Sequence, residues 1–290
     1  MTRSRASLTG FVAVLLWATL ALFTAASGRM PPFQLAAVTF LIAGAAGLVF
    51  VMRSPRGLAV LRQPAAAWLH GVGGLFGYHF FYFTALRLAP PAEAGLIAYL
   101  WPLLIVLMSA ALPGERLRAA HVIGALMGFF GTVVLITGRE GGLAFDPAFV
   151  PGYAAALVCA VIWSTYSVTS RAFPDVPTEA VAGFCLGTAA LAGVCHLLFE
   201  TTVWPDGAGQ WAAVVALGLG PVGLAFFVWD VGMKRGDVRL LGVASYAAPV
   251  LSTILLVATG FAAATWSLAA ACALIVGGAA LATLGARRRA

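Results

Sequence analysis

Apolar residues form ten long runs along the chain, separated by short breaks rich in Gly, Pro, Ser and charged residues. A helix that crosses about 30 Å of hydrocarbon needs roughly 20 apolar residues, and each run is close to that length. The breaks, such as residues 27–32 and 234–237, carry ordinary turn signals. The runs predict transmembrane helices at residues 8–27, 33–52, 64–86, 93–112, 119–137, 152–171, 178–199, 211–232, 240–259 and 265–285.

Composition places these helices in a membrane. The chain is 62% hydrophobic and 9% charged over 290 residues, so it could not stay soluble as one globule. No break is long enough to hold a soluble domain. The sequence therefore predicts an all-α polytopic membrane protein that is surrounded by the lipid bilayer.

The second half of the chain repeats the first in register. Gly and Ala matches carry little weight in this composition, whereas Trp, Tyr and Pro are scarce enough to be informative. These matches are Trp17 with Trp163 at an offset of 146, and Tyr99 with Tyr246 and Pro102 with Pro249 at an offset of 147. Five helices per half is an odd number, so the second half must enter the membrane from the opposite side. We predict two inverted five-helix repeats, at residues 1–138 and 150–290.

Basic residues indicate the orientation. If the N-terminus is cytoplasmic, Arg29, Arg87 and Arg139 lie outside, and the other 14 of the 17 Lys and Arg residues lie inside. Cytoplasmic loops carry such an excess. We expect an inner-membrane protein with both termini cytoplasmic. The net charge of +7 reflects this topology, and no nucleic-acid partner is needed to explain it.

Small residues recur at four-residue spacing within several predicted helices, as in Gly124/Gly128 and Gly183/Gly187. Such pairs allow helices to approach closely in lipid. We interpret them as packing surfaces within one chain and expect a monomer. A dimer interface is the alternative.

Aromatic residues concentrate in the middle of several predicted helices and indicate a substrate cavity. The third helix carries a continuous run from Tyr78 to Phe83, in which His79 and Tyr82 share one helical face. A histidine that faces lipid is unfavourable, so His79 should point inward. The predicted substrate-binding residues are His79, Tyr82, Tyr99, Trp101, Trp163, Tyr246, Trp17 and Tyr166.

Walls of aromatic rings favour a flat, amphipathic ligand. Rings stack on rings, and an ammonium group over a ring gains about 0.5–2 kcal/mol through cation–π attraction. A neutral zwitterion such as phenylalanine or tryptophan fits this chemistry. For each ring, packing without ligand contact is the alternative.

Prolines interrupt the fourth, eighth and ninth predicted helices. A proline inside a helix leaves a carbonyl unpaired and bends the axis, which suits a cavity wall but also occurs for structural reasons. We predict hinge or gating roles for Pro102, Pro249, Gly95 and Gly242. In the inverted repeats, Tyr99 is expected near the outer end of its helix and Tyr246 near the inner end.

Polar residues argue against several other functions. Nearly all of the ten Asp and Glu residues lie in breaks or at helix ends, and the four cysteines stand singly. The stretch from His196 to Glu200 lacks the H-E-x-x-H zinc pattern. We therefore predict no catalytic site, metal or cofactor. An intramembrane enzyme and a channel are weaker alternatives, because a channel needs a polar stripe or charged ring.

The chain resembles the drug/metabolite transporter superfamily, its ten-helix members with two EamA-type repeats, and among them the YddG-like exporters of aromatic amino acids. The motifs that carry the resemblance are W-x-T at Trp17–Thr19 and Trp163–Thr165, G-x-x-x-Y-x-x-P at Gly95–Pro102 and Gly242–Pro249, and the Gly-Glu ending at Gly114-Glu115. The second repeat departs from the last motif at Phe261-Ala262. The resemblance implies export across the inner membrane by alternating access, with other small metabolites or drugs as the alternative cargo.

Overall fold

The computed structural model describes residues 1–113, 117–140, 143, 145–260 and 263–287. Gly114-Glu115 and their counterparts Phe261-Ala262 lie outside the described residues. Within the described ranges, ten helices have membrane-spanning length. They are α1 (Arg3–Ala26), α2 (Pro32–Arg53), α3 (Ala65–Leu88), α4 (Pro91–Ala111), α5 (Ala119–Glu140), α6 (Pro147–Ala172), α7 (Thr178–Phe199), α8 (Ala208–Arg235), α9 (Val238–Ala258) and α10 (Trp266–Arg287).

Nine of these described helices are long and apolar enough to cross a membrane. The tenth, α3, has 24 residues, and its histidines, tyrosines and Arg87 lower its mean hydropathy. It packs against α6 and α7, and its histidines and tyrosines are only partly exposed. The prediction of an all-α, ten-helix membrane protein is confirmed.

The helix contacts map onto themselves when the two halves are exchanged. Equivalent helices pack together, α2 with α7 and α5 with α10, and the α1–α8 contact has its counterpart in α6–α3. Along the α5–α10 contact, Gly124 meets Gly278 and Gly131 meets Ala271, so these helices run antiparallel. A Cβ atom on Gly124 would lie 2.5 Å from the Gly278 carbonyl oxygen. Antiparallel packing of equivalent helices is the geometry of inverted repeats.

Both α4 and α9 break just before their prolines. The backbone leaves the helix at Tyr99 and Leu100 in α4 and at Tyr246 in α9. Pro102 and Pro249 cannot donate a backbone hydrogen bond to the preceding turn, which weakens the helix there. Both tyrosines lie near the middle of their helices, which span Pro91–Ala111 and Val238–Ala258. The expectation that they occupy opposite helix ends is wrong.

Two further breaks are specific to one repeat. In the first, α1 turns at Thr19, whereas its equivalent α6 continues as a helix through Thr165. In the second, α8 contains a π-helical turn at Gly220–Leu224, which includes Pro221. The equivalent part of α3 is regular.

Candidate functional site

A cavity of about 630 Å³ occupies the centre of the bundle. Its walls come from the second halves of α1 and α3 and the first halves of α2 and α4, while α6, α8 and α9 contribute at its bottom. These wall segments lead toward the loops at residues 27–31 and 200–207. We call this side of the bundle the open side. The opposite side, with residues 1–5 and 235–237, is the closed side.

Most of the predicted site residues meet in this cavity. The predicted residues that line it are Trp17, His79, Tyr82, Gly95, Tyr99, Trp101 and Trp163. They come from four helices and both repeats, so the folded bundle assembles a site that is dispersed in sequence. Their role in substrate binding stays a prediction.

Two predicted tyrosines lie outside the cavity. The Tyr166 ring stacks on the His70 imidazole, with centroids 4.8 Å apart, and occupies the space left by the missing side chain of Gly74. Tyr246 is fully buried and packs over Gly128 of α5. In this conformation, both rings fill gaps between helices. The structure therefore does not place either ring in contact with a ligand in the cavity.

The other predicted hinge residues also lie away from the cavity. Pro102, Pro249 and Gly242 are absent from its walls. A Cβ atom on Gly242 would lie 3.1 Å from the Pro102 carbonyl oxygen and 2.9 Å from Val106. The weakened segments of α4 and α9 are thus in direct contact beneath the cavity.

His79 presents a hydrogen-bond acceptor to the cavity. Its Nδ1 atom lies 2.7 Å from the Leu75 carbonyl oxygen, and because a carbonyl only accepts, Nδ1 must carry a proton. Phe40 meets the imidazole edge to face at 4.9 Å between centroids. In the neutral ring, Nε2 is then the accepting nitrogen. His79 can therefore receive a hydrogen bond from an N–H or O–H group of a ligand.

Three tryptophans, Trp17, Trp101 and Trp163, form the floor of the cavity, and the buried Trp229 packs against them. Their ring centroids lie 5.0 to 6.3 Å apart, within the range of favourable aromatic pairs. The Trp17 indole N–H donates to the Pro221 carbonyl at 3.1 Å, and the Trp229 indole N–H donates to Ser167 Oγ at 3.1 Å. The π-helical turn of α8 thus provides the carbonyl that orients Trp17.

Close packing of α1 against α8 closes the bundle below this floor. A Cβ atom on Gly10 would lie 2.8 Å from the Gly232 Cα atom, a separation that only two glycines permit. Arg171 Nε donates to the Met233 carbonyl at 2.9 Å, which ties the end of α6 to α8. Lys234 pairs with Asp230 at 2.9 Å. Below the floor the helices are packed together. Among the residues that the structure describes, the cavity is therefore not part of a continuous water-filled passage through the bundle.

A buried carboxylate joins three helices at the open side. The Glu200 side chain is 1% exposed and pairs with Arg87 of α3 at 2.8 Å. It also accepts the backbone N–H groups of Phe33 and Gln34 at the start of α2. The positive end of the α2 dipole and the guanidinium both stabilise this carboxylate. The rim of the cavity is thus fixed where α2, α3 and α7 meet.

The cavity wall carries no formal charge. None of the described residues that line it is Asp, Glu, Lys or Arg. No group of three or more metal-ligating side chains occurs among the described residues. The cavity chemistry consists of aromatic faces, hydroxyl groups and one imidazole.

Several site residues were not predicted from the sequence. Tyr78 and Phe40 line the cavity, Phe226 stacks on Phe40 at 5.5 Å, and the buried Trp229 supports the floor by packing against Trp163. Repeat matching offered a signal for Phe226, which corresponds to Phe80 at the offset of 146. Trp229 corresponds to Phe83, an aromatic match that points to the same depth in the bundle.

Comparisons with known proteins support a transport site. The EamA-like transporter family matches residues 4–137 and 150–284. The aromatic amino acid exporter YddG of Ancylobacter novellus is 69% identical, over 99% of this chain and 100% of that protein. The aromatic amino acid exporter YddG of Escherichia coli K12 is 28% identical over 99% and 100% of the two chains.

One solved structure is also similar to this chain. It superposes with a TM-score of 0.96, is 69% identical and covers 99% of each chain. The same ten-helix arrangement is therefore found in an experimental structure.

Proposed function

This chain belongs to the EamA-like transporter family, and on this basis we propose that it exports aromatic amino acids across the inner membrane by alternating access. The names of its relatives describe exporters of that cargo. The observation that carries the proposal is an uncharged, aromatic cavity whose floor is made of three tryptophans. This cavity is open on one side only, as a carrier requires.

The chemistry of the wall favours a zwitterion with a flat side chain. A ligand with net charge would lose its hydration without gaining a counterion, which is unfavourable in a membrane interior. A zwitterion carries both charges at one end, where hydroxyl groups and His79 are available. Its aromatic ring can then pack against the tryptophan floor.

His79 has a defined role in this proposal. Since Nδ1–H donates to the Leu75 carbonyl, the Nε2 lone pair is left to accept a hydrogen bond from an N–H group of the ligand ammonium. A hydrogen bond to a charged group contributes about 1.5–3 kcal/mol. The neighbouring Tyr78 and Tyr82 rings, stacked 5.9 Å apart, add aromatic surface for the same ammonium.

The distribution of basic residues indicates which side of the membrane the cavity opens to. With 14 of 17 basic residues on the side of the N-terminus, the closed side is cytoplasmic and the open side is periplasmic. The structure then corresponds to the outward-open state, from which an exporter releases its cargo. A C-terminal reporter that is active only in the periplasm should stay inactive, and activity would reverse this orientation.

The repeats supply the two gates. On the cytoplasmic side Gly242 packs against Pro102, whereas its equivalent Gly95 faces the cavity, where a Cβ atom would meet nothing within 4 Å. If Gly242 separated from Pro102 and Gly95 packed instead, the cytoplasmic side would open and the periplasmic side would close. Gly95, Pro102, Gly242 and Pro249 are the proposed hinges, and Tyr246 would line the inward-open cavity as Tyr99 lines the present one.

Counterflow in proteoliposomes tests the proposal. Vesicles loaded with unlabelled phenylalanine should accumulate labelled phenylalanine transiently, because a carrier exchanges solute across a sealed bilayer. Lysine, which has a similar size but a net charge, is the matched control and should not exchange. A channel would equilibrate both labels without overshoot. Exchange only of unrelated small metabolites would refute the cargo assignment and retain the carrier.

A further inference from the structure

A second groove, of about 430 Å³, lies on the closed side between the start of α1 and the start of α9. Its apolar wall consists of Leu8, Phe11, Leu240, Leu241 and Ala244. Leu8 is 68% exposed, so this wall continues into the lipid-facing surface of α1. No described residue lines both this groove and the central cavity.

The end of the groove nearest the chain terminus is polar and carries two opposite charges. Arg3 Nη2 lies 3.2 Å from Asp237 Oδ2, and the two side chains are 51% and 21% exposed. Both residues lie at the ends of membrane helices, where the hydrocarbon gives way to lipid headgroups. The groove thus joins a lipid-facing apolar surface to a cation and an anion at headgroup depth.

Neighbouring groups hold Asp237 in position and in its charged form. Its Oδ1 accepts the backbone N–H groups of Arg239 and Leu240, both at 3.1 Å, as the N-cap of α9. Burial raises the pKa of Asp237, but donation from Leu240 and the charges of Arg239 and Arg3 outweigh burial, and the pKa lies below its usual range. The carboxylate is therefore ionised at neutral pH.

We propose that this groove binds one phosphatidylethanolamine molecule, with its phosphate on Arg3, its ammonium on Asp237 and one acyl chain along the apolar wall. The headgroup carries an anion and a primary ammonium a few bonds apart, which matches the neighbouring Arg3 and Asp237. A guanidinium binds phosphate through paired N–H groups, and an ammonium has three N–H donors for a carboxylate.

Other phospholipids match the groove less well. Phosphatidylglycerol has the phosphate but no ammonium, so it can bind Arg3 but makes no contact of its own with the Asp237 carboxylate. Phosphatidylcholine has a quaternary ammonium without N–H donors, so it cannot hydrogen-bond to the carboxylate. The occupant is thus specified by the charge pair, and the apolar wall alone would accept any acyl chain.

Lipid titration of the purified, full-length protein tests this inference. The probes are phosphatidylethanolamine, phosphatidylglycerol and phosphatidylcholine with identical acyl chains, each counted on the protein by native mass spectrometry. Phosphatidylethanolamine should bind about fivefold more tightly than the other two, the size of one exposed ion pair. Equal affinity for the three lipids would overturn the proposal.

Two groups of variants separate the headgroup from the acyl-chain contact. Asp237→Asn keeps a good helix cap and should abolish the preference for phosphatidylethanolamine, whereas Arg3→Gln should weaken binding of all three lipids. Ala244→Trp fills the groove and should remove the bound lipid. Leu197→Trp, at a residue that is 79% exposed elsewhere, is the matched control and should bind lipid normally. A preference that survives both Asp237→Asn and Ala244→Trp would place the lipid elsewhere.

Discussion

Gly95 and Tyr99 of the first repeat are equivalent in sequence to Gly242 and Tyr246 of the second, yet the two pairs have opposite environments. A Cβ atom on Gly95 would meet nothing within 4 Å, whereas one on Gly242 would lie 2.9 Å from Val106. Tyr99 lines the cavity, and Tyr246 is fully buried. One motif thus adopts an open form and a packed form in the same molecule.

This difference shows what an inverted duplication provides. The Gly242–Pro102 contact has an equivalent pair, Gly95 and Pro249, which is not in contact in this structure. In the proposed alternation, this second contact forms as the cavity closes. The same motif is therefore compatible with both the open and the packed arrangement. Modest differences in free energy can redistribute two such states.

The largest effect should come from adding a side chain at either glycine. Gly242→Val would clash with the Pro102 carbonyl and Val106, and overpacking of this kind costs about 1–3 kcal/mol. That corresponds to a shift of roughly 5–150-fold toward the inward-open state. Gly95→Val has space in the present state and should favour it instead. Both variants should slow counterflow, while cysteine labelling at the cavity should change in opposite directions.

Gly73→Val is the matched control for this pair. Gly73 also lies in a membrane helix, but nothing is within 4 Å of a Cβ atom there and it does not line the cavity. Transport by this variant should stay close to that of the parent protein. If Gly95→Val and Gly242→Val shift accessibility in the same direction, the exchange of contacts is not the gating mechanism.

An effect of comparable size, on ligand binding alone, is expected at His79, which has Ala225 as its counterpart in the second repeat. His79→Ala removes the Nε2 acceptor and should weaken phenylalanine binding about 10–150-fold, the equivalent of one hydrogen bond to a charged group. Equilibrium binding of labelled phenylalanine to the purified protein measures this change.

His70→Ala is the control on the same helix, since His70 stacks on Tyr166 outside the cavity. It should retain the affinity of the parent. Unchanged binding by correctly folded His79→Ala would remove His79 from the site.

The smallest effect should come from Arg171→Gln. Arg171 joins α6 to the end of α8 by donating to the Met233 carbonyl, so its loss removes one link on the closed side. Such a partly exposed hydrogen bond contributes about 0.5–1.5 kcal/mol, and we expect a shift of about 2–12-fold toward the inward-open state. Arg56→Gln, at an exposed position, is the matched control, and the counterflow of Arg171→Gln is compared with the counterflow of this variant. A shift toward the outward-open state would contradict the assigned role of Arg171.

The fold was accessible from the sequence because membrane helices need long apolar runs and because scarce residues repeat in register. Trp17 and Trp163 match at the offset of 146, and the folded chain brings their ring centroids within 5.7 Å. Pro102 and Pro249 marked the helix breaks because the lost hydrogen bond is a local effect.

The rest depends on tertiary packing. Tyr166 and Tyr246 carry the same chemistry as Tyr82 and Tyr99, but glycines on neighbouring helices, Gly74 and Gly128, give them space away from the cavity. Which glycine faces which ring is determined by helix rotation, which periodicity alone does not specify. The repeat does not predict the π-helical turn of α8 either, because the equivalent part of α3 is a regular helix.

Cysteine accessibility at the two equivalent tyrosines tests alternating access most directly. In a chain whose Cys159, Cys185, Cys195 and Cys272 are replaced, a cysteine at position 99 should react with a membrane-impermeant thiol reagent from the open side, and one at position 246 should be protected. Introducing Gly242→Val should protect position 99 and expose position 246 to the cytoplasmic side. Labelling of both positions at once, unaffected by Gly242→Val or by phenylalanine, would indicate a continuous pore and contradict the account.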